Sequence, residues 1–396
     1  MHTEIKTPLI AIACGGTGGH LFPGLAVAEE LGARGANVML LVSPKEVDQQ
    51  AVRTIRGMRV ETLPAVGLTR GGFVSFAVGF WKSYRAARTL FKATPPAAVL
   101  SMGGFTSVPP VIAGGRLGAK AFLHESNTIP GKANRLLAHF VDDAFVYFSE
   151  TTGRLNHQKV KVTGMPVRSQ FASLDAASCR MAIGLQPNRP VLLVMGGSQG
   201  ASGINDLLIK TLPQMATLSP ELQYLHLTGP ADLDKVRTAY RNAGVKAVVQ
   251  PFLSEMELAL GAATVAISRA GASSLAELAA TRIPSILIPY PTAADNHQFF
   301  NARAFVDSGA ARMMEQANAT PDQLRWLILE LAGNAVSRAA IIQSLEKWHQ
   351  ANATVRVADL ICEAIDFKGR SPQLEDGQGM VKRPMKPVSP REVVHS

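Results

Sequence analysis

The chain has 396 residues, 47% hydrophobic and 18% charged, and is long enough to form two packed domains of ordinary size. Its three cysteines lack C-x-x-C spacing, which argues against a disulfide framework, a zinc site and an oxidising compartment. A formal net charge of +10 favours an anionic partner such as a membrane surface or a phosphorylated substrate. Nucleic acid is not expected, because aromatic residues make up only 6% of the chain and do not alternate with basic ones.

Short apolar runs alternate with amphipathic stretches from residue 8 to about residue 163, which is the pattern of β-α units in a parallel sheet. The segment before Cys14 faintly resembles a lipoprotein cleavage site, but it is short and contains Glu4, so a first buried strand is favoured. No apolar run approaches the roughly 20 residues needed to span a bilayer. The strands predicted in this half are 9–13, 38–42, 59–63, 98–101, 121–124, 144–147 and 160–163.

A glycine-rich turn, Gly-Gly-Thr-Gly-Gly-His at 15–20, lies between the first predicted strand and a helix that is predicted to begin at Pro23. Backbone N–H groups at the positive end of a helix suit an anion or a reacting oxygen. The turn lacks both G-x-G-x-x-G and Gly-Lys-Ser/Thr, so it is neither a dinucleotide fingerprint nor a Walker loop. Polar or glycine-rich loops also follow two later strands, at 102–107 and 124–127, and parallel strands end at one edge. We therefore expect the three loops to converge.

The stretch 66–92 combines aromatic and aliphatic residues with five basic side chains. An interfacial helix on an anionic membrane would have this composition, and so would a core helix whose far side is basic. The membrane interpretation depends on Phe73, Phe76, Phe80 and Trp81 together with Arg70, Lys82 and Arg85.

The second half repeats the strand, glycine turn and helix pattern after a break near residue 166. Strands are predicted at 191–195, 222–227, 247–250, 264–267 and 285–288, and helices from 204 and at 233–243, 255–261, 273–280 and 297–308. This predicts an α/β protein of two Rossmann-like, doubly wound domains that face each other across a cleft. Helices at 321–331, 335–349 and 353–367 follow, and the tail 368–396 is expected to be disordered because it has few apolar residues.

Several residues of the second half suit a nucleotide sugar. Gly271 permits a close approach to the start of the following helix, which can bind phosphate. Glu277 is either a helix-stabilising carboxylate or an acceptor for two ribose hydroxyls, and Ser198 is either a capping hydroxyl or a phosphate ligand. The polar loop 289–298 is either a helix cap or a sugar-binding segment, and the same holds for 124–127.

Taken in order, these motifs resemble those of the MurG family of bacterial UDP-N-acetylglucosamine transferases over residues 8 to about 366. Two positions depart from the family pattern: Met165 stands where asparagine is common, and Ala270 where serine is common. The matching segments are 15–20 with Phe22 and Pro23, 102–105, 124–127, 166–168, 196–201, 269–272, Glu277 and 295–298.

The resemblance implies a GT-B glycosyltransferase. No metal or other cofactor is expected, because no D-x-D pair is placed to hold an essential cation. The resemblance divides the chain into an acceptor and membrane-associated domain at 1–166, a UDP-GlcNAc-binding domain at 167–350 and a helix at 351–367 that returns to the first domain. The implied reaction is inverting transfer of N-acetylglucosamine to the C4 hydroxyl of undecaprenyl-pyrophosphoryl-N-acetylmuramoyl-pentapeptide (lipid I), giving β-1,4-linked lipid II and UDP. The implied place is the cytoplasmic face of the inner membrane, as a peripheral protein of cell-wall synthesis, cell shape and division, with other cell-wall synthesis proteins as partners.

The resemblance also assigns substrate-binding roles. Asn127 and Gln298 bind the N-acetylglucosamine of the donor, Ser198 binds phosphate, and Arg168 and the backbone of Leu253 border the uracil. The remaining donor residues approach the sugar (Thr17, Gly18, Gly19), cradle the diphosphate (Ala272, Ser273, Ser274, Leu275, Ala276) or take the ribose (Glu277). The acceptor loops contain Gly103, Gly104, His124 and Glu125.

His20 is the candidate general base, because an imidazole titrates near neutral pH. Alternatively, His20 only orders the glycine turn. Other functions compatible with the motifs are a GT-B transferase acting on another lipid such as diacylglycerol, a sugar-nucleotide epimerase, and a non-catalytic nucleotide-sugar sensor.

Overall fold

The computed structural model describes residues 7–16, 18–45, 48–49, 52, 57–64, 72–171, 174–197, 200–369 and 393–394, without the side chains of Phe73, Val393 and Val394. The chain forms two compact units. The N-terminal unit comprises residues 1–168 with 350–378, and the C-terminal unit comprises 169–349 with 379–396. The chain thus leaves the N-terminal unit after Arg168 and re-enters it at Gln350.

The N-terminal unit contains a seven-stranded parallel sheet in the order β3-β2-β1-β4-β5-β6-β7. Its central strand β1 is a continuous apolar run, as expected for a strand covered on both faces. Ala11 and Ala13 face one buried cluster, whereas Ile10 and Ile12 face the other. The strands are β1 Leu9–Ala13, β2 Asn37–Val42, β3 Arg59–Thr62, β4 Ala98–Ser101, β5 Lys120–Glu125, β6 Asp143–Val146 and β7 Val160–Val162.

The C-terminal unit contains a second seven-stranded sheet, in the order β13-β12-β11-β8-β9-β10-β14. Counted from its first strand, this sheet repeats the 3-2-1-4-5-6 order of a Rossmann fold, as does the first sheet. The predicted pair of Rossmann-like, doubly wound domains is therefore confirmed. The strands are β8 Val191–Met195, β9 Gln223–Leu227, β10 Ala247–Gln250, β11 Val265–Ser268, β12 Ser285–Leu287, β13 Arg312–Met313 and β14 Val393–Val394.

Helices cover these sheets, and most lie where the sequence predicts them. The first helix begins earlier than expected, so that Pro23 lies inside it and His20 lies in its first turn. The helices are α1 Gly18–Ala33, α2 Gly72–Ala93, α3 Val108–Arg116, α4 Lys132–Leu137, α5 Ala176–Ile183, α6 Ser202–Leu218, α7 Leu233–Ala243, α8 Met256–Ala262, α9 Ala272–Ala280, α10 His297–Asp307, α11 Pro321–Gly333, α12 Ala335–Trp348 and α13 Ala353–Ala364.

The last helix, α13, packs against α1 in the N-terminal unit. Arg34 near the end of α1 forms ion pairs with Glu30 at 2.8 Å and with Asp359 of α13 at 2.5 Å, and it donates to the Val355 carbonyl oxygen at 3.2 Å. The apolar face of α13 contributes Val357 to the core beneath β1. This helix is therefore an integral part of the N-terminal unit.

Most of the tail predicted to be disordered, residues 370–392 and 395–396, lies outside the described residues. Val393–Val394 is an exception, because it pairs antiparallel with Ala247 and Val248 at the edge of the second sheet. The disorder prediction is wrong for these two residues. None of the described helices combines the length and the apolarity that a membrane span requires.

Candidate active site

The imidazole of His20 lies on the backbone of Gly103 and Gly104, which follow the neighbouring strand β4. An added Cβ would come within 2.9 Å of His20 Nε2 at Gly103 and within 3.3 Å of His20 Cε1 at Gly104. Both glycines also have positive φ angles, of 110° and 79°, that side chains disfavour. The two glycines therefore form a flat seat for the ring, and the predicted convergence of these two loops is observed.

The glycine turn before α1 is tied to its neighbours through its backbone. Thr106 Oγ1 donates to the Gly15 carbonyl oxygen at 2.7 Å, and the Gly16 N–H donates to Asp48 Oδ2 at 2.6 Å. The Gly16 N–H is therefore not available to a ligand, because a carboxylate of the protein accepts its hydrogen bond. Thr17 lies outside the described residues, whereas Gly18 and Gly19 form the first turn of α1.

His124 was predicted in an acceptor loop, but its side chain is fully buried at the end of β5. His124 Nε2 lies 2.9 Å from the Gly164 carbonyl oxygen, and since a carbonyl only accepts, Nε2 carries the proton. Burial lowers the pKa of His124 to about 4. The side chain is therefore a neutral tie between β5 and the segment after β7, and it cannot contact an acceptor directly.

Glu125, also predicted in an acceptor loop, is buried as well. Its Oε1 accepts from the Asn127 N–H at 2.8 Å and from Asn127 Nδ2 at 3.1 Å, while Oε2 accepts from the Gly131 N–H at 2.8 Å and Asn134 Nδ2 at 2.9 Å. Four donors thus converge on one carboxylate, as burial of a charge requires. Glu125 thus holds the loop that carries Asn127 in place.

In the C-terminal unit, α9 begins directly after the β11 strand and Gly271, which has an extended conformation. The first turn of a helix presents N–H groups toward an anion, and here that turn is Ala272, Ser273 and Ser274. The side chains of Leu275 and Ala276 are buried, and the Leu275 N–H donates to the Gly271 carbonyl oxygen at 3.0 Å. Leu275 and Ala276 therefore lie behind the helix terminus, and Glu277 is half-buried one turn further along.

Gln298 lies close to the start of α9, although it belongs to α10. Its Oε1 accepts from the backbone N–H groups of Ala270 at 3.2 Å and Tyr290 at 3.0 Å, so its Nε2 is the end that can donate to a ligand. Asn301 Nδ2 donates to the Ala270 carbonyl oxygen at 3.2 Å. Both contacts at Ala270 use the backbone, so the departure from the family's serine leaves them intact.

Arg269 immediately precedes this segment and was absent from the predicted site residues. Its guanidinium is buried and donates to the carbonyl oxygens of Ile288 at 3.0 Å and Pro289 at 3.1 Å and to Gln316 Oε1 at 2.7 Å, with the Tyr290 ring 5.5 Å away. These partners are neutral, and burial lowers the pKa of Arg269 from its ordinary value. Arg269 thus ties the segment before α9 to the chain after β12. Its signal in the sequence is an arginine directly after a buried strand.

A buried polar chain supports the second glycine turn, although Ser198 and Gln199 lie outside the described residues. His226 Nε2 lies 2.9 Å from Asn205 Oδ1, and His226 Nδ1 lies 3.2 Å from the Tyr240 hydroxyl. Asn205 Nδ2 in turn donates to the Thr228 carbonyl oxygen at 3.0 Å and to Asp232 Oδ2 at 2.8 Å. Burial lowers the pKa of His226 to about 3, so this ring is a neutral link.

The two residues predicted to border uracil, Arg168 and Leu253, belong to different units. Arg168 belongs to the N-terminal unit, and its guanidinium lies 4.6 Å from the centre of the Phe22 ring. The Leu253 side chain is buried, and its neighbour Phe252 is exposed. The prediction for Leu253 concerns its backbone, so the buried side chain does not contradict it.

The side chains that helix α2 exposes are not the full set that was predicted to contact a membrane. Phe76 and Phe80 are half-buried, and the Phe76 ring packs edge-on against Phe105 at 5.4 Å. The Phe73 side chain and Arg70 lie outside the described residues. The exposed stripe consists of Val74, Val78, Trp81, Arg85 and Arg88, which recur at helical spacing.

Among the described residues, no group of three or more histidine, cysteine, aspartate or glutamate side chains is arranged to hold a metal ion.

The glycosyltransferase family 28 N-terminal domain matches residues 10–146, and the family 28 C-terminal domain matches residues 191–356. A protein of Anaeromyxobacter sp. (strain Fw109-5), named UDP-N-acetylglucosamine--N-acetylmuramyl-(pentapeptide) pyrophosphoryl-undecaprenol N-acetylglucosamine transferase, is 34% identical over 94% of this chain and 98% of its own length. A protein of the same name from Pelobacter propionicus is 36% identical over 82% of this chain and 91% of its own.

Among solved structures, MurG of Acinetobacter baumannii superposes with a TM-score of 0.69 at 26% identity, covering 90% of this chain and 99% of that one. The similarity thus extends through both units, and the predicted family is confirmed. The chain belongs to the MurG family of GT-B glycosyltransferases.

Proposed function

We propose that this protein transfers N-acetylglucosamine from UDP-GlcNAc to the C4 hydroxyl of undecaprenyl-pyrophosphoryl-N-acetylmuramoyl-pentapeptide, with release of UDP. The observation that carries this proposal is the similarity over 94% of the chain to a relative whose name states the transfer. The His20 imidazole on its glycine seat supplies a base at the carboxyl edge of the N-terminal sheet. A Rossmann-like sheet binds ligands at this edge.

In the proposed reaction, the C4 hydroxyl oxygen of the acceptor attacks the anomeric carbon of the donor sugar. His20 removes the hydroxyl proton as the new C–O bond forms, so that the attacking oxygen gains nucleophilicity. The bond from the anomeric carbon to the phosphate oxygen breaks, and UDP departs with the bonding electrons. Attack from the face opposite the leaving group inverts the anomeric centre and gives the β-1,4 linkage.

The C-terminal unit would bind the donor. The negative charge that grows on the departing diphosphate suits the first turn of α9, and Arg269 adds a positive charge in the segment just before that helix. Gln298 Nε2 is oriented to donate to the sugar, and Glu277 is the acceptor assigned to the ribose hydroxyls.

An acceptor assay tests this proposal. With UDP-GlcNAc present, we expect UDP release to require the lipid-linked muramoyl pentapeptide and diacylglycerol to give no release above the rate without acceptor. Mass spectrometry of the lipid product should show the added N-acetylhexosamine. Release with diacylglycerol alone would assign the protein to another lipid acceptor, while tight UDP-GlcNAc binding without release would favour a sensor.

We further propose that α2 binds an anionic membrane surface. Val74, Val78 and Trp81 form its exposed apolar stripe, and Arg85 and Arg88 continue the same face with positive charge. Such an arrangement places apolar side chains at the acyl boundary and cations at anionic head groups. We therefore propose a peripheral location at the cytoplasmic face of the membrane.

The location of α2 favours this proposal over a purely structural role. Its Phe76 ring contacts Phe105, the residue directly after the Gly103–Gly104 seat of His20. A membrane-bound α2 would thus hold the base close to the lipid surface from which a lipid-linked acceptor arrives. Trp81 is 58% exposed on this helix and is therefore accessible to a lipid surface.

Changing Trp81 to Glu should reduce retention on vesicles of anionic lipid about tenfold, because the exposed indole contributes apolar area to membrane binding. Trp326 is a matched control, since it is 62% exposed on α11 of the C-terminal unit. Trp326→Glu should bind vesicles as the unmodified protein does. Co-sedimentation with anionic and neutral vesicles measures both, and equal retention on the two lipids would contradict the proposal.

A further inference from the structure

Asp48 is a fully buried carboxylate beneath the glycine turn that precedes His20. Its Oδ2 accepts hydrogen bonds from the Gly16 N–H at 2.6 Å, from the Ser43 N–H at 3.2 Å and from Ser43 Oγ at 2.5 Å. Burying a charge is costly unless hydrogen bonds compensate. All three bonds converge on one oxygen, and that oxygen joins the turn after β1 to the end of β2.

The Gly15–Gly16 turn is also fixed from other directions. A Cβ at Gly15 would lie 2.4 Å from the Ser43 backbone nitrogen, so the turn packs directly on the chain after β2. Lys45 Nζ donates to the Gly16 carbonyl oxygen at 3.3 Å. The Gly16 φ angle of 121° lies where side chains are disfavoured, so this conformation depends on the bonds that hold it.

The same turn is linked to the seat of the imidazole. Thr106 Oγ1 donates to the Gly15 carbonyl oxygen at 2.7 Å, and Thr106 lies just after Gly103 and Gly104 in the chain. The hydrogen bonds at Gly15 and Gly16 therefore fix where the chain enters α1, the helix that carries His20. They also fix the position of this helix start relative to Gly103 and Gly104.

We propose that Asp48 is a positioning residue for the transfer reaction: by holding the Gly16 N–H it fixes the start of α1 and so keeps the His20 ring on Gly103 and Gly104. Asp48 touches no substrate in this role. The inference rests on the proposed function, in which His20 is the base. Small displacements of a reacting group cost large factors in rate, about 10² for a shift of 1 Å, so the loss of this bond should appear in kcat.

Two substitutions at Asp48 and one control test this inference. Asp48→Ala removes the acceptor, and we expect kcat to fall about 30- to 100-fold with the KM for UDP-GlcNAc within about twofold. Asp48→Asn keeps one oxygen acceptor but loses the charge assistance, so a loss of about fivefold is expected. Asp142→Ala is the control, because Asp142 Oδ2 accepts from the Ala121 N–H at 2.8 Å near the amino end of β5. Its kcat should stay within about twofold of the unmodified protein.

A double-mutant cycle separates positioning from a general structural role. If Asp48 acts through His20, each Asp48 substitution should cost less than about twofold when His20 is already alanine. Should Asp48→Ala fail to fold, the same cycle with Asp48→Asn decides the question. An unchanged kcat in Asp48→Asn, an equal loss with and without His20, or an equal loss in Asp142→Ala would overturn the inference. Failure of the proposed function looks different, since the unmodified protein would then be inactive with the lipid-linked muramoyl pentapeptide.

Discussion

Replacing His20 with alanine should lower kcat by about 10²- to 10⁴-fold, which is the contribution expected of a positioned general base. The binding of UDP-GlcNAc should be nearly unchanged, because most of the residues to which donor binding is assigned lie in the C-terminal unit. Initial rates with the lipid-linked acceptor and titration calorimetry with UDP-GlcNAc measure the two quantities separately.

His20→Gln distinguishes catalysis from loop ordering. Glutamine can hydrogen bond within the turn but cannot accept a proton at neutral pH, so this variant should be as slow as the alanine variant. His139, an exposed histidine of the same unit, is the control, and His139→Ala should keep full activity. A His20→Gln variant with near-normal kcat would assign the ring to ordering of the turn.

Lowering the pH from 7.5 to 5.0 should reduce the unfolding free energy of both units, because each contains a buried histidine. Burial lowers the pKa of His124 to about 4 and that of His226 to about 3 from a value of 6.5. The unfolded chain therefore binds protons between pH 6.5 and these values while the folded chain does not, so stability falls as the pH falls through this window. Between pH 7.5 and pH 5.0, each unit should lose about 2 kcal/mol of unfolding free energy.

Thermal unfolding at the two pH values measures this effect, and a loss of that size should lower each melting temperature by about 4–8 °C. His124→Gln should flatten the pH dependence of the N-terminal unit only, and His226→Gln that of the C-terminal unit only. Above pH 5 the carboxylates whose pKa is lowered, such as Asp232, remain ionised and do not contribute. An unchanged pH slope in both variants would contradict the assignment.

Most strands could be predicted from the sequence, because parallel strands are covered on both faces and therefore read as continuous apolar runs. β13 and β14 were missed, since each is only two residues long. Helices α3 and α4 were missed for a related reason. α3 contains two prolines and two glycines within nine residues, and α4 is only six residues long, so neither shows a helical period. The start of α1 was also missed, since Gly18 and Gly19 are poor helix formers that the tertiary structure keeps helical.

The topology explains which parts of the site could be predicted. β1 and β4 are neighbours, so the loops that carry His20 and Gly103 had to meet. The burial of His124 and Glu125 could not be predicted from the sequence. It depends on hydrogen bonds with Gly164 and Asn134, which lie in other segments of the chain. Asp48 belongs to no motif, and only the folded chain places it under Gly16.

The route of the chain also constrains its biosynthesis. The N-terminal unit takes part of its interior from α13, whose Val357, Ala358, Ile361 and Cys362 pack beneath the first sheet. During synthesis this helix leaves the ribosome only after residues 169–349. The N-terminal unit therefore exposes an apolar surface while the C-terminal unit folds. A nascent chain halted near residue 349 should therefore expose that surface to chaperones and proteases, and completion of the last helix should end its vulnerability.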